Sequence, residues 1–304
     1  MTSTLNPLSH AETRPRREPP SAGEGRPRRE ILTYLALTYG LGLTTAVAIP
    51  GTKENPGPVS LFALLTPALV VALIRLVARV RHTPANPHPL GLRRAGFRSW
   101  PAAVLLPLGA MAASYGLAYM GGVVSFDGLA EFVISSPINI VIMSVLVLGE
   151  EIGWRSYLLP RLASVMPVRR ASLVTGFCQG LFHLPLLLLT PAYDGDGSRW
   201  IVVPGLLCTL TAAGAVFGWL RTRSGSLWPA AIAHATVNTF ILETPVLVSE
   251  NPDLAAYLTG EAGIFTIVGI AVMALLVVRR GSWTQRDTEP ALTHGSSLDA
   301  APQG

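Results

Sequence analysis

The chain has 304 residues, of which 50% are apolar and 13% are charged, and its mean hydropathy is +0.44. Soluble globular domains carry about 25% charged residues, so this composition excludes an ordinary soluble domain and indicates a membrane protein. The formal charge of +5 does not indicate a nucleic-acid-binding protein, because basic and aromatic residues do not cluster on a soluble segment. We therefore predict an all-α membrane protein without a nucleic-acid partner.

Apolar runs of about 20 residues, the length at which a helix crosses the hydrocarbon core of a bilayer, recur along the chain. Several of them contain Gly or Pro, which membrane helices tolerate better than soluble helices do. We predict about eight transmembrane helices, at residues 31–49, 59–78, 100–120, 138–159, 171–190, 200–220, 227–247 and 262–279.

The basic residues lie on one side of this predicted topology. Of the 23 Lys and Arg residues, only Lys53 and Arg199 fall in the loops of the other side, where acidic residues predominate. Because cytoplasmic loops are enriched in Lys and Arg, this distribution predicts that both termini are cytoplasmic. We expect an integral protein of a bacterial plasma membrane, in contact with the lipid bilayer along most of its length.

We predict one membrane domain, residues 31–280, between two polar tails. Residues 1–30 are rich in Arg, Pro, Glu and Ser and predict a disordered, basic cytoplasmic tail, and residues 281–304 predict a second disordered cytoplasmic tail. Cys178 and Cys208 fall inside predicted helices, where isolated cysteines are usually small packing residues, so a disulfide framework is not expected.

Two adjacent glutamates, Glu150 and Glu151, lie inside the fourth predicted helix. A carboxylate in the bilayer costs at least about 2.5–3.5 kcal/mol, so an acid at this position indicates a functional site. His183 and His234 are the two histidines inside predicted helices. The helix directions place Glu150 and both histidines at a similar depth in the cytoplasmic half of the membrane, so the topology allows them to meet.

Helical spacing refines this cluster. Glu151 and Arg155 are four residues apart with the acid first, which is the favourable order for an ion pair. His234 and Asn238 have the same spacing and therefore project from one face of the seventh predicted helix. A histidine or a Glu–Arg pair in a membrane helix is usually structural when it occurs alone. Two acids, two histidines and an asparagine from three helices together indicate a functional site.

These residue types suit the hydrolysis of an amide bond without a protein nucleophile. A buried carboxylate can act as a general base on water, and His and Asn side chains can donate hydrogen bonds to a developing oxyanion. The sequence has neither a His-Glu-x-x-His nor a Gly-x-Ser-x-Gly motif, and it has no phosphate-binding Gly-rich loop.

The cluster resembles the motifs of the CAAX-protease and bacteriocin-processing family of intramembrane endopeptidases, also called the Abi family, which includes the type II CAAX prenyl endopeptidases. The family pattern is Glu-Glu-x-x-x-Arg, then Phe-x-x-x-His, then His-x-x-x-Asn/Asp. In this sequence the three motifs occupy residues 150–155, 179–183 and 234–238, and the resemblance covers a motif core of about residues 138–245. The second motif departs from the pattern, because Gln179 stands where the family has Phe.

The resemblance implies an intramembrane protease that depends on glutamate. Glu150 would be the general base that activates water, and His183 would help to bind that water. His234 and Asn238 would form the oxyanion site. The implied substrate is a membrane-associated protein or peptide, such as a CAAX-like tail or a bacteriocin-type precursor, presented from the cytoplasmic side.

Glu151 and Arg155 are implied to be a supporting pair that orients the first glutamate and helps to hold the substrate. No cofactor is favoured. Zinc is the alternative, with Glu150, His183 and His234 as its ligands, because catalytic zinc sites use three protein ligands and a water. We favour the metal-free mechanism because the sequence lacks the local pair of histidines that typical zinc peptidases use.

Two other function classes remain open at this point. The same Glu/His cluster would serve a proton-coupled transporter, since such clusters also form proton relays in membranes. The second alternative is a non-catalytic membrane scaffold or immunity factor, whose whole function is to bind a partner.

Overall fold

A computed structural model of the chain describes residues 25–48, 57–81, 88–190, 198–242 and 251–283. These residues form a helical bundle whose elements are α1 (Gly25–Ala48), α2 (Gly57–Val80), α3 (Trp100–Met120), α4 (Leu129–Leu146), α5 (Leu148–Glu151), a π-helical segment (Ile152–Leu158), α6 (Leu159–Ala163), α7 (Val168–Leu189), α8 (Arg199–Ser224), α9 (Trp228–Leu242), α10 (Pro252–Leu258) and α11 (Ile264–Arg280).

The predicted all-α membrane fold is confirmed. Within the described residues, six helical stretches are long and apolar enough to cross a membrane, and they coincide with the first six predicted spans. The seventh and eighth predicted spans are also helical, but α9 and α11 have 15 and 17 described residues. Both are shorter than the about 20 residues that a spanning helix needs. Residues 243–247 of the seventh predicted span lie outside the described part of the chain.

The first helix begins before the predicted end of the N-terminal tail. Helix α1 begins at Gly25, so the last residues of the tail predicted at 1–30 are helical. Residues 1–24 and 284–304, which make up most of the two predicted tails, lie outside the described residues.

Polar contacts gather several helix ends at one end of the bundle, which we call the basic end. Arg161 in α6 donates to a carboxylate oxygen of Glu30 near the start of α1, with an N–O distance of 2.8 Å. Arg223, at the end of α8, donates to the hydroxyl of Ser282 just after α11, at 3.3 Å. The start of α1 and the end of α11 therefore lie at the same end of the bundle, as an even number of passes requires.

Helices α7 and α8 approach each other so closely that glycine is needed at the contacts. A Cβ atom on Gly214 would lie 2.6 Å from Cα of Gly176, and one on Gly180 would lie 2.8 Å from a methyl carbon of Leu207. Small residues at this spacing let the backbones of two membrane helices touch. The pairing also fixes the relative height of the two antiparallel helices, and hence the position of every polar side chain on them.

Two clusters of buried apolar side chains flank the polar cluster. One includes Trp154 of the π-helical segment and Phe182 of α7. The other includes Phe217 of α8 and Ala233 of α9. Because each of these residues lies within one turn of a candidate site residue or contacts one, the candidate site occupies the region between the two clusters.

The replacement of Gly176 by Ala should destabilise the protein. The added methyl would overlap the backbone of Leu210 and Gly214, and forced packing of this kind typically costs about 1–3 kcal/mol. We expect a lower apparent Tm of the detergent-purified G176A variant. The control is G109A in α3, where a Cβ would meet no atom within 4 Å, and its Tm should not fall. An unchanged Tm for G176A would contradict this close α7–α8 contact.

Candidate active site

The helix geometry changes at the two glutamates. Helix α5 carries Glu150 and Glu151, and the chain then continues as a π-helical segment that carries Arg155. Such segments inside α-helices occur frequently at functional sites. The three charged side chains are at most 2% exposed, and charges buried this deeply require compensating partners.

The carboxylate of Glu151 connects Arg155 to His234. Its Oε1 accepts a hydrogen bond from Nη1 of Arg155 at 2.9 Å and contacts Nδ1 of His234 at the same distance. An ionised carboxylate only accepts, so Nδ1 of His234 carries the hydrogen in this contact. Nε2 is then the ring nitrogen that remains to act on another group.

Phe217 of α8 packs against both partners of Glu151. Its ring stacks on the imidazole of His234, with 5.3 Å between the centroids and 22° between the planes. The guanidinium of Arg155 lies over the same ring, 4.9 Å from its centroid. The contact supplies a cation–π interaction to an arginine that is removed from water.

Gln179 of α7 holds the first glutamate in place. Its Nε2 donates to Oε2 of Glu150, and its Oε1 accepts from Nη1 of Arg155, both at 2.6 Å. The same glutamate oxygen lies 3.8 Å from Nε2 of His183. That separation is within the range of an ion pair but too long for a direct hydrogen bond.

The structure brings most of the predicted site residues together. Glu150, Glu151, Arg155 and His234 join one buried network, and His183, in the last third of α7, lies at its edge. Asn238 is partly exposed and follows His234 by one turn. Within the described part of the chain, Asn238 makes no hydrogen bond to another candidate residue.

The residues predicted as alternative zinc ligands make other contacts in the described structure. No three His, Cys, Asp or Glu side chains among the described residues are grouped so that they could hold a metal ion. Nδ1 of His234 is directed at Glu151, and Oε2 of Glu150 accepts from Gln179. Of the three ligands predicted for zinc, Glu150 and His183 lie 3.8 Å apart, and His234 uses one ring nitrogen to contact Glu151.

Two residues of the site were not predicted from their motifs. Gln179 was noticed only as a departure from the family pattern, and its bridge between two charges depends on a contact between distant segments. Glu261 lies in the turn between α10 and α11. Burial raises the pKa of its carboxyl, the charges of His183 and His234 act in the opposite direction, and Glu150 adds to the rise. No local signal in the sequence connects Glu261 with the other groups.

The fold and the site together define an integral membrane protein whose helices enclose a buried glutamate–histidine network. Residues 133–240 match the family model described as "Type II CAAX prenyl endopeptidase Rce1-like". This match confirms the predicted family resemblance over that part of the chain, and it supports a CAAX-type intramembrane protease. The three motifs lie inside the matched stretch, whereas Glu261 lies outside it. No curated protein matches the chain.

The replacement of Gln179 by Leu should lower the stability of the protein. The variant loses hydrogen bonds to two buried charged groups, and a hydrogen bond to a charged group contributes about 1.5–3 kcal/mol. We expect a lower apparent Tm in detergent. The control is F177L, two residues earlier on α7, where the side chain is 44% exposed. Equal Tm values for Q179L and F177L would argue against the bridge.

Proposed function

We propose that the protein is an intramembrane endopeptidase that hydrolyses a peptide bond of a membrane-associated protein or peptide by glutamate-activated water. Its substrate would be a CAAX-like tail or a bacteriocin-type precursor. The observation that carries the proposal is the pairing of a buried Glu150 with His183 at 3.8 Å, within the stretch that matches the endopeptidase family model.

In the first step, Glu150 acts as the general base. Its Oε2 and Nε2 of His183 are near enough to bind one water molecule between them, and the hydrogen bond from Gln179 keeps the carboxylate oriented. Glu150 takes one proton of the water while the oxygen attacks the carbonyl carbon of the substrate. General bases of this kind contribute about 10²–10⁴ to the rate.

The negative charge that develops on the carbonyl oxygen would be stabilised by His234 and Asn238. Because Nδ1 of His234 already donates to Glu151, Nε2 donates only when the ring is protonated. Asn238 adds a neutral amide donor one turn away. When the carbon–nitrogen bond breaks, the proton held by Glu150 passes to the leaving amine.

We favour a mechanism that uses no cofactor. Gln179 donates to Glu150, and the carboxylate of Glu151 accepts from Arg155 and His234, so protein groups already satisfy the side chains that a metal ion would otherwise hold. Zinc remains the alternative. Treatment of the protein with a chelator distinguishes a zinc mechanism from the glutamate mechanism.

We place the protein in a bacterial plasma membrane with both termini in the cytoplasm, and we propose that the substrate arrives from that side. The arginine-rich basic end suits the cytoplasmic face. A cavity with room for a water-sized group extends from this end to Arg155, and His88 and Arg221 also line it. This cavity would connect the network to the cytoplasmic side.

The replacement of Glu150 by Gln should lower the turnover of a cleaved peptide by about 10²–10⁴, because the amide cannot accept the proton of water. The assay is cleavage of a quenched-fluorescent peptide library by detergent-purified protein. The control is E131Q, which removes an exposed carboxylate from the first turn of α4 and should cleave like the wild type.

A strong zinc chelator is added to the same assay. Wild-type cleavage that resists the chelator and is lost in E150Q supports the glutamate mechanism. Loss with chelator and recovery with zinc would shift the conclusion to a metalloenzyme. Full activity of E150Q would contradict the proposed role of Glu150. If the wild type cleaves no peptide, the scaffold and transporter hypotheses would be favoured.

The replacement of Asn238 by Ala should lower kcat by about 10²–10³, the usual contribution of one oxyanion donor. The side chain is partly exposed and forms no hydrogen bond to the network, so the Tm of N238A should stay close to that of the wild type. The measurement is kcat and KM on one cleaved peptide, together with the Tm. A change in KM alone would assign Asn238 to substrate binding instead.

A further inference from the structure

The turn that joins α10 to α11, residues 259–263, is tied to α9 beside the candidate site. The hydroxyl of Tyr115 donates to the backbone oxygen of Phe240 at 3.4 Å. The same hydroxyl lies beside the backbone of Gly260, which has a φ of 69° that suits glycine. Phe240 follows Asn238 by two residues, so the turn is fixed next to the part of α9 that carries the proposed oxyanion donor.

The other side of the turn rests on α8 at the level of His183. A Cβ atom on Gly205 would lie 2.6 Å from the backbone oxygen of Ala262, so the turn and the helix are in direct contact. Gly205 is half a turn from Leu207, which packs against Gly180 of α7. His183 lies one turn beyond Gly180 toward the same end. The turn therefore lies across the space between α7 and α9.

Glu261 occupies the middle of this turn, between its two anchored residues. It lies near enough to His183, His234 and Glu150 for their charges to act on its carboxyl. Among the described residues, Glu261 forms no ion pair with a lysine or an arginine. In the described part of the chain the groups of opposite charge that act on its carboxylate are imidazoles, and no lysine or arginine there is paired with it.

The charges of the enlarged site do not balance. Glu150, Glu151 and Glu261 bring three carboxylates, whereas Arg155, which contacts Glu151, brings the one guanidinium of this group in the described structure. One protonated histidine, as the proposed mechanism requires of His234, reduces this excess of negative charge without removing it. An unneutralised charge in a region with little water attracts a group of opposite sign and repels a group of the same sign.

We propose that Glu261 belongs to the substrate-binding site and selects substrates with a cationic group, a Lys or Arg side chain or a free amine, next to the scissile bond. The same carboxylate disfavours an acidic group or a free C-terminal carboxylate at that point. The inference rests on the proposed function, because it assigns the substrate class of the same site.

The test uses three quenched-fluorescent peptide sublibraries that are identical except for one fixed position, which holds Lys, norleucine or Glu. We expect wild-type kcat/KM to favour Lys over norleucine by about tenfold and norleucine over Glu by a similar factor, a difference that one close charge pair can supply. In E261Q both ratios should approach one. The matched control is D253N, which removes an exposed carboxylate from the first turn of α10 and should keep the wild-type ratios.

Two further measurements keep the test decisive. Raising the ionic strength should reduce the preference of the wild type, because salt screens a partly exposed charge. Binding of the same sublibraries to E150Q and to E150Q/E261Q, measured by fluorescence anisotropy, reports selectivity without cleavage. We expect E150Q to bind the Lys set more tightly than the Glu set, and the double variant to bind the two sets equally.

The outcomes separate the two proposals. Cleavage without a Lys preference, or with a preference that E261Q retains, would overturn the role of Glu261 and leave the endopeptidase proposal standing. Selective binding that depends on Glu261, with no cleavage by the wild type, would support the cation site and overturn the endopeptidase. The absence of both cleavage and selective binding would overturn both.

Discussion

The described network depends on one fully buried carboxylate that contacts two other polar side chains. Oε1 of Glu151 receives both Arg155 and His234, each at 2.9 Å. Removal of one partner from such a buried group leaves a charge uncompensated, at a cost of several kcal/mol, so each member requires the others. The contact also sets the tautomer of His234, and Arg155 in turn holds the glutamine that orients Glu150. A residue to which we assign no step of the reaction thus determines the geometry of the residues for which we propose one.

Much of this organisation was accessible from the sequence because membrane helices obey simple rules. The length of the apolar runs predicted the helices, and the i,i+4 spacing predicted that Glu151 and Arg155 would meet, as they do. The presence of acids among apolar residues located the site, since burial of charge is expensive unless function demands it. The family resemblance, carried by three short motifs, agrees with the family model that matches residues 133–240.

The features that could not be predicted from the sequence depend on contacts between distant segments. Gln179 is an ordinary polar residue until α7 is placed against the π-helical segment, where it meets two charges at once. The π-helical geometry itself has no clear signature in the residues that adopt it. Glu261 lay in a loop assigned to the outer side, and only the anchoring of that loop on α8 and α9 brings it to the histidines. Helix ends were also misjudged where polar residues continue a helix, as at Gly25.

The aromatic ring of Phe217 has a consequence for how the site tolerates changes of charge. Its ring contacts a permanent cation, Arg155, and the imidazole of His234, which carries a proton on both nitrogens in the mechanism that we propose. The negative face of an aromatic ring attracts cations, so both contacts remain favourable in that mechanism when the imidazole takes up its second proton. Because the ring itself carries no charge, Phe217 can pack against either form of the imidazole without changing its own position.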